Sequence, residues 1–167
     1  MTRNKVILVD KQNNELAVCD KLEAHQKGLL HRAFSIVIYN SRGEVLLQKR
    51  AKNKYHSGGL WSNTCCSHPQ PNEPTNIAIH LRLQEEMGFD CPLTHVGDFI
   101  YKTHFQNGLI EYEFDSVFLG LFDGSPLPSP DEVEEYKWES LPVLKEKLLA
   151  FPQFFTYWFP FVLDKYP

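Results

Sequence analysis

Asn72-Glu73-Pro74-Thr75-Asn76-Ile77-Ala78-Ile79-His80-Leu81-Arg82-Leu83-Gln84-Glu85-Glu86-Met87-Gly88 reads as a helix, and strand pairs lie on both sides of it. Asn72 is placed to cap it and Pro74 to sit in its first turn, where a missing N–H has no intrahelical partner to lose. The helix runs through Ile77, Leu81 and Glu85 and stops at Gly88, the residue type that most readily takes the left-handed turn. On its N-terminal side, residues 33–39 are β-branched and aromatic, Asn40-Ser41-Arg42-Gly43 is a turn, and residues 44–50 are a second strand, together a hairpin. On its C-terminal side, residues 96–105 and 109–122 flank Gln106-Asn107-Gly108, and Asn-Gly is the strongest short hairpin signal. Further out, residues 6–9 form a short strand, 136–138 a short extended piece and 142–151 a helix, while the tail from 152 to 167 is rich in Phe, Tyr and Trp. Residues 51–63 and 123–130 read as loops. The order β, ββ, α, ββ, α implies an α/β domain, a mixed sheet with helices packed on it.

The 167 residues suit one domain, 1–167, with a real core, and 43% hydrophobic with 23% charged residues is the balance of a soluble globular protein. A net charge of −4 argues against nucleic-acid partners, which need a basic field. No apolar run approaches the roughly 20 residues that span a bilayer, so no membrane partner is expected. The apolar run Val6-Ile7-Leu8-Val9 is too short for a secretory signal. Cys19, Cys65, Cys66 and Cys91 lack the spacing of a disulfide framework, which fits a reduced, cytoplasmic setting.

The chemistry concentrates in Asn63-Thr64-Cys65-Cys66-Ser67-His68-Pro69 and Glu111-Tyr112-Glu113. On a strand, residues i and i+2 point the same way, so Glu111 and Glu113 form a carboxylate pair if residues 110–119 are a strand. A thiol, an imidazole and two carboxylates suit either a metal site or proton transfer. His25, His31 and His68 with Glu111 and Glu113 make a five-ligand set, against the plain alternative that seven histidines are scattered over the surface. Arg82 and Glu86, four apart, are an ordinary exposed helix pair of about 0.3–0.5 kcal/mol, or else a phosphate grip beside a Mg²⁺ carboxylate. Lys21, Arg50, Lys54 and Arg82 are dispersed in sequence, and only a fold could gather them. Cys66 is a structural thiol unless a polar, cation-lined setting activates it. Trp61 and Trp158 are core or lid residues whose ring faces could also stabilise a cation.

Together, the run from Trp61 to Pro69, the Glu111-Tyr112-Glu113 triplet, Asp131-Glu132-Val133 and Tyr136-Lys137-Trp138 resemble type I isopentenyl-diphosphate isomerases, a family on the Nudix fold. The Nudix hydrolase box, G-x5-E-x7-R-E-U-x-E-E-x-G-U, laid from 67 to 89, is matched by Glu73, Glu85, Glu86 and Gly88. Ser67, Leu81 and Arg82 depart from it. Arg82 stands where a hydrolase has an acid for metal and water chemistry, so the departure favours gripping an intact diphosphate.

The resemblance implies metal ligands at His25, His31, His68, Glu111 and Glu113, holding Zn²⁺ or Mn²⁺. It implies a catalytic pair Cys66 and Glu113 with Tyr101 as helper. Diphosphate contacts fall on Lys21, Arg50, Lys54 and Arg82, Glu86 helps hold Mg²⁺, and Trp158 forms an aromatic wall, with Trp61 as a second candidate. The implied reaction interconverts isopentenyl and dimethylallyl diphosphate in a monomer or weak dimer. Glu113 supplies a proton and Cys66, as thiolate, accepts one, with the roles exchanged in reverse. A nucleoside diphosphate hydrolase on the same fold, with no use for Cys66, and a non-catalytic module for a phosphorylated ligand are the competing expectations.

Overall fold

The computed structural model describes residues 2–165. In chain order these form strands β1 (Lys5–Val9) and β2 (Glu15–Asp20), helix α1 (Lys21–Lys27), and strands β3 (His31–Tyr39), β4 (Glu44–Arg50), β5 (Trp61–Ser62) and β6 (Cys65–Ser67). Helix α2 (Thr75–Met87), strands β7 (Thr94–His104), β8 (Ile110–Leu121) and β9 (Val133–Ser140), and helices α3 (Leu141–Ala150) and α4 (Phe159–Leu163) follow. The strands join in one mixed sheet, as the sequence implies.

Strand β3 is its hub. It runs parallel to β8 from His31↔Glu113 to Tyr39↔Leu121 and antiparallel to β6, with Ser35 opposite Cys66. Its side chains alternate between two layers. Phe34, Ile36 and Ile38 pack with Ala78, Ile79, Leu83 and Met87 of α2. Val37, on the other face, packs with Val117 and Leu119 of β8 and with Phe155, Trp158, Phe159 and Val162 of the tail. That second face is apolar at one end and polar at the other, where His31 and Ser35 of β3 and Glu111, Glu113 and Asp115 of β8 are all buried. Each large apolar side chain taken out of water contributes about 1.5–3 kcal/mol. This is what offsets the cost of burying several ionisable groups opposite.

Residues 33–39 and 44–50 are antiparallel neighbours, but they pair only at Tyr39↔Val45. Beyond the turn they separate, β3 to β8 and β6, β4 to β9. Local pattern identified the turn, where the Asn40 side-chain oxygen accepts from the Arg42 and Glu44 amides at 3.0 Å, but not these longer-range partners. Pro74, not Asn72, occupies the cap of α2. Asn72 instead takes φ 63° in the preceding turn. Gly88 ends the helix as expected, at φ 75°, and a Cβ there would come within 2.3 Å of the Leu127 carbonyl oxygen. Ile77 and Leu81 are half-exposed; the buried face of α2 includes Arg82 and Glu86. Strand β2, helix α1 and the short β5, β6 and α4 have no counterpart in the sequence reading.

Candidate active site

The parallel register sets His31 beside Glu113, and the period of two puts Glu111 on the same face of β8. Helix α1, packed against β8, brings His25 in, and the chain leaving β6 brings His68. One ligand atom from each of His25, His31, His68, Glu111 and Glu113 lies within 4.8 Å of all the others. His25 Nε2 is 3.0 Å from Glu111 Oε1 and His68 Nε2 is 3.0 Å from Glu113 Oε1. The Nδ1 atoms of His25 and His31 face the Lys21 and Leu29 carbonyls at 2.6 and 2.9 Å, which leaves each Nε2 lone pair turned inward. His31 Nε2 is buried without a hydrogen-bond partner, 3.6 Å from both carboxylates. Against the effect of burial, those carboxylates pull the His31 pKa up to about 10, the response of an imidazole placed where a cation belongs. Three imidazoles and two carboxylates fit a divalent transition metal.

Next to this cluster a cavity of about 350 Å³ is lined by Lys21, Arg50, Lys54 and Arg82, so the dispersed cations do converge. Burial, then the charge of Lys54 and that of Arg82 and Arg50, lower the Lys21 pKa, as expected of cations gathered in one partly buried place. Lys54 pairs with Glu132 at 2.5 Å. Arg82 pairs with Glu86 and Glu85, each at 2.6 Å. Arg82 and Glu86 are 9% and 4% exposed, so the exposed helix pair expected from their spacing is in fact a buried one. The Glu86 oxygens are both engaged, one by Arg82 and the other by the Gln48 amide at 3.0 Å.

Cys66, Glu113, Tyr101 and Trp158 line the same cavity. Tyr101 Oη donates to Glu113 Oε2 at 3.1 Å, and Trp158 Nε1 donates to Cys66 Sγ at 3.2 Å. Burial, then the Glu111 charge, push the Glu113 carboxyl well above its ordinary value. Cys66 differs from expectation. Burial, then Asp115, push its thiol up to about 12, and its S–H faces Asn63 Oδ1 at 3.1 Å. Asn63 cannot turn that oxygen away, because its amide nitrogen donates to the Ile36 and Cys65 carbonyls. The resting form in this environment is therefore the thiol and not the thiolate. Trp61 is not at the cavity wall. Its carbonyl accepts from Thr156 N at 2.9 Å and its ring carries Lys137 at 4.4 Å, so it anchors the aromatic tail.

The NUDIX domain family matches residues 29–159. The isopentenyl-diphosphate Delta-isomerase 2 of Aromatoleum aromaticum is 49% identical over 162 residues, 97% of this chain and 86% of its own length. That of Photorhabdus laumondii is 50% identical, over 95% of this chain and 90% of its own. This chain belongs to the isopentenyl-diphosphate Delta-isomerase family. A relative of the same name from Pectobacterium atrosepticum is 47% identical over 100% of this chain and 93% of its own. The fold extends beyond the isomerase family. The crystal structure of DR0079 from Deinococcus radiodurans matches with TM-score 0.78 at 16% identity, over 98% of this chain and 99% of that one. A MutT NUDIX hydrolase from Burkholderia pseudomallei matches with TM-score 0.64 at 22% identity, over 83% and 98%.

This isomerase-family site also holds residues that sequence reasoning missed. Arg3 lines the cavity and forks onto Glu73 at 2.7 and 3.0 Å. Asp115, buried, accepts from Ser35 Oγ at 2.7 Å, and Ser35 Oγ lies 3.5 Å from Cys66 Sγ. The same period of two that paired Glu111 with Glu113 would have found Asp115. His56 sits beside Glu111 with Nε2 2.6 Å from Oε2, and lies in a stretch without periodicity that gave no signal.

Proposed function

We propose that this cavity moves a proton across an allylic unit, interconverting isopentenyl diphosphate and dimethylallyl diphosphate. The observation that carries the proposal is that Cys66 and Glu113, both proton-bearing groups, share one cavity with a cluster of four cations. Lys21, Arg50, Lys54 and Arg82 hold the chemically idle diphosphate, so that binding energy from the remote group positions the alkene. Mg²⁺ would arrive with the diphosphate, and Glu86, whose oxygens bond Arg82 and the Gln48 amide, would exchange one of these contacts to help hold it. His25, His31, His68, Glu111 and Glu113 would hold Zn²⁺ or Mn²⁺, which when bound would supply a fixed positive charge beside Glu113.

A 1,3-shift protonates one carbon and removes a proton from a carbon two bonds away. The shift needs one member of the pair protonated and the other not: the protonated one gives its proton to the alkene and the other takes one from the carbon two bonds away, with Tyr101 Oη donating to Glu113 Oε2. The opposite direction exchanges the two roles. The cationic centre between these steps needs shielding from water, and the Trp158 ring, 3% exposed, supplies a π face. We place the chain as a single-domain cytoplasmic enzyme, monomeric or weakly dimeric. The four free cysteines support the reducing setting, and among the described residues no helix is long and apolar enough to cross a membrane.

The test is incubation with isopentenyl diphosphate and Mg²⁺ in D₂O, followed by carbon and phosphorus NMR. Deuterated dimethylallyl diphosphate with no phosphate release is the expected result. Release of phosphate or pyrophosphate would favour the hydrolase instead, and no change with the metal site filled would favour a binding module.

A further inference from the structure

Glu111 is 1% exposed, and its two oxygens face different neighbours. Oε1 turns into the cluster, 3.0 Å from His25 Nε2 and 3.6 Å from His31 Nε2. Oε2 turns the other way, to His56 Nε2 at 2.6 Å. His56 is itself 5% exposed, and that nitrogen meets no other hydrogen-bond partner. Its remaining nitrogen, Nδ1, lies 3.1 Å from Ser57 Oγ, a hydroxyl able to donate to it. The ring proton therefore belongs on Nε2, facing the carboxylate. The contact to Oε2 is off the N–H axis as it stands, so aligning it takes a turn of the ring or of the carboxylate.

The ring's own position is fixed from several sides. It stacks on Phe105 at 4.5 Å and 15°, meets the edge of Trp158 at 5.7 Å, and touches Tyr55 at 4.3 Å. Arg50 Nη2 donates to its carbonyl at 3.2 Å. Asn107, from the β7–β8 turn, donates to the Tyr55 carbonyl at 3.1 Å and ties the loop down. A histidine so restrained, with Nε2 2.6 Å from the outer oxygen of a buried carboxylate, is placed as an outer-sphere partner. It is not part of the five-residue set whose ligand atoms lie mutually within 4.8 Å.

We propose that His56 is the positioning residue of the metal site: its Nε2–H holds Glu111 Oε2, leaves Oε1 as the single inward ligand oxygen, and thereby sets metal affinity. This rests on the reading that the His/Glu cluster binds a divalent metal. Outer-sphere donors of this kind change metal affinity by about 10–100-fold when removed.

The experiment is a Zn²⁺ titration of metal-stripped full-length protein against a competing chromophoric chelator, for wild type, His56→Ala and His56→Gln. Circular dichroism of each stripped form checks the fold. Glutamine is the informative variant, because its amide nitrogen reaches about as far as Nε2 and can donate to Oε2, but it has no imidazole to coordinate or stack. The expected result is a Kd raised about 10–100-fold in His56→Ala, with most of the loss recovered in His56→Gln. Wild-type affinity in His56→Ala would overturn the proposal. So would a His56→Gln variant as weak as the alanine, since the imidazole would then act as a ligand or by packing. Failure of the wild type itself to take up Zn²⁺ would overturn the metal reading, and the role of His56 with it, which is a different result from either variant's failure.

Discussion

Replacing Arg82 by alanine separates the structural work of a buried cation from its work on the substrate. The Arg82 guanidinium bonds Glu86 and Glu85, each at 2.6 Å, and approaches Glu132 at 3.4 Å. These pairs are unequal. The Glu85 side chain is 52% exposed, so its pair contributes at most about 1 kcal/mol. Glu86 is 4% exposed, and without Arg82 it keeps only the Gln48 amide at 3.0 Å. Stranding such a carboxylate costs about 3–5 kcal/mol. Against a typical total of about 5–15 kcal/mol, Arg82→Ala should remain folded in the cold but unfold at much lower urea. Pairing Arg82→Met with Glu86→Leu should return most of the loss, because the uncompensated charge goes too. Kinetics on the cold, folded variant then address the substrate. One charged hydrogen bond to a non-reacting oxygen contributes about 1.5–3 kcal/mol, or about 10–150-fold, and it should appear in KM with kcat little changed. Urea unfolding followed by circular dichroism, with Glu85→Ala as the exposed-pair control, and steady-state isomerisation rates read the two effects. A stability loss no larger than that of Glu85→Ala would refute the burial argument. An unchanged KM would remove Arg82 from the diphosphate contacts.

Cys66→Ala and Glu113→Gln should each abolish turnover while leaving circular dichroism unchanged, and near-normal rates in either would remove the proton-transfer scheme. Stripping metal with a chelator should abolish activity, and Zn²⁺ or Mn²⁺ should restore it where Mg²⁺ alone does not, because three imidazoles select a transition ion. Full recovery in Mg²⁺ alone would contradict that donor-set argument. The Arg3–Glu73 fork, which Arg3 also ties to the His68 carbonyl at 2.9 Å, gives a pH test on a pair outside the five-residue set. Burial opposes ionisation of Glu73, but the Arg3 bonds and the Gln70 N–H outweigh it and hold the carboxyl below its ordinary 4.5. A depressed folded pKa stabilises above the unfolded value, and that stabilisation fades as pH falls through the folded one. Glu73→Gln should thus lose about 1 kcal/mol at neutral pH and converge on wild type in acid; a gap that persists in acid would mean the fork is not electrostatic.

What the sequence made legible follows the range of the interactions involved. Helix α2 and the β7–β8 hairpin have their signals, Gly88 and Asn107-Gly108, inside themselves, and both formed where expected. The Glu111–Glu113 pair needed only the period of a strand. The parallel pairing of β3 with β8, which sets His31 beside Glu113, joins residues about eighty apart and leaves no local trace. Strand β6 is three residues long and exists because β3 supplies its partner. Protonation state was equally illegible: Cys66 is a thiol because of what buries it and because Asn63 is pinned with its oxygen toward the sulfur. His56 shows the same limit from the other side, since a loop residue without periodicity gains its role only when Phe105, Trp158 and Glu111 close around it.

Residues of the hydrolase box and of the isomerase site line one cavity, and they divide its charge between helix α2 and the sheet. On the helix wall, the box position expected to be acidic is Arg82, which is buried and bonded to Glu86. The carboxylate that a metal-and-water mechanism would need free is thereby engaged, and the net effect of the exchange is to add a cation where a diphosphate is to lie. On the sheet wall, β8 contributes Glu111, Glu113 and Asp115, with Glu113 in register with His31 and Asp115 with Ala33 of β3. Cys66 sits opposite Ser35 on the other side of the same strand. The proton-bearing groups thus come from β6 and β8 of the sheet, whereas the four cations come from α1, β4, the loop after β4 and α2. The proposed proton transfer therefore rests on where this chain keeps its acids: with Arg82 at the acidic box position, the buried carboxylates Glu111, Glu113 and Asp115 of the cavity are instead carried by β8.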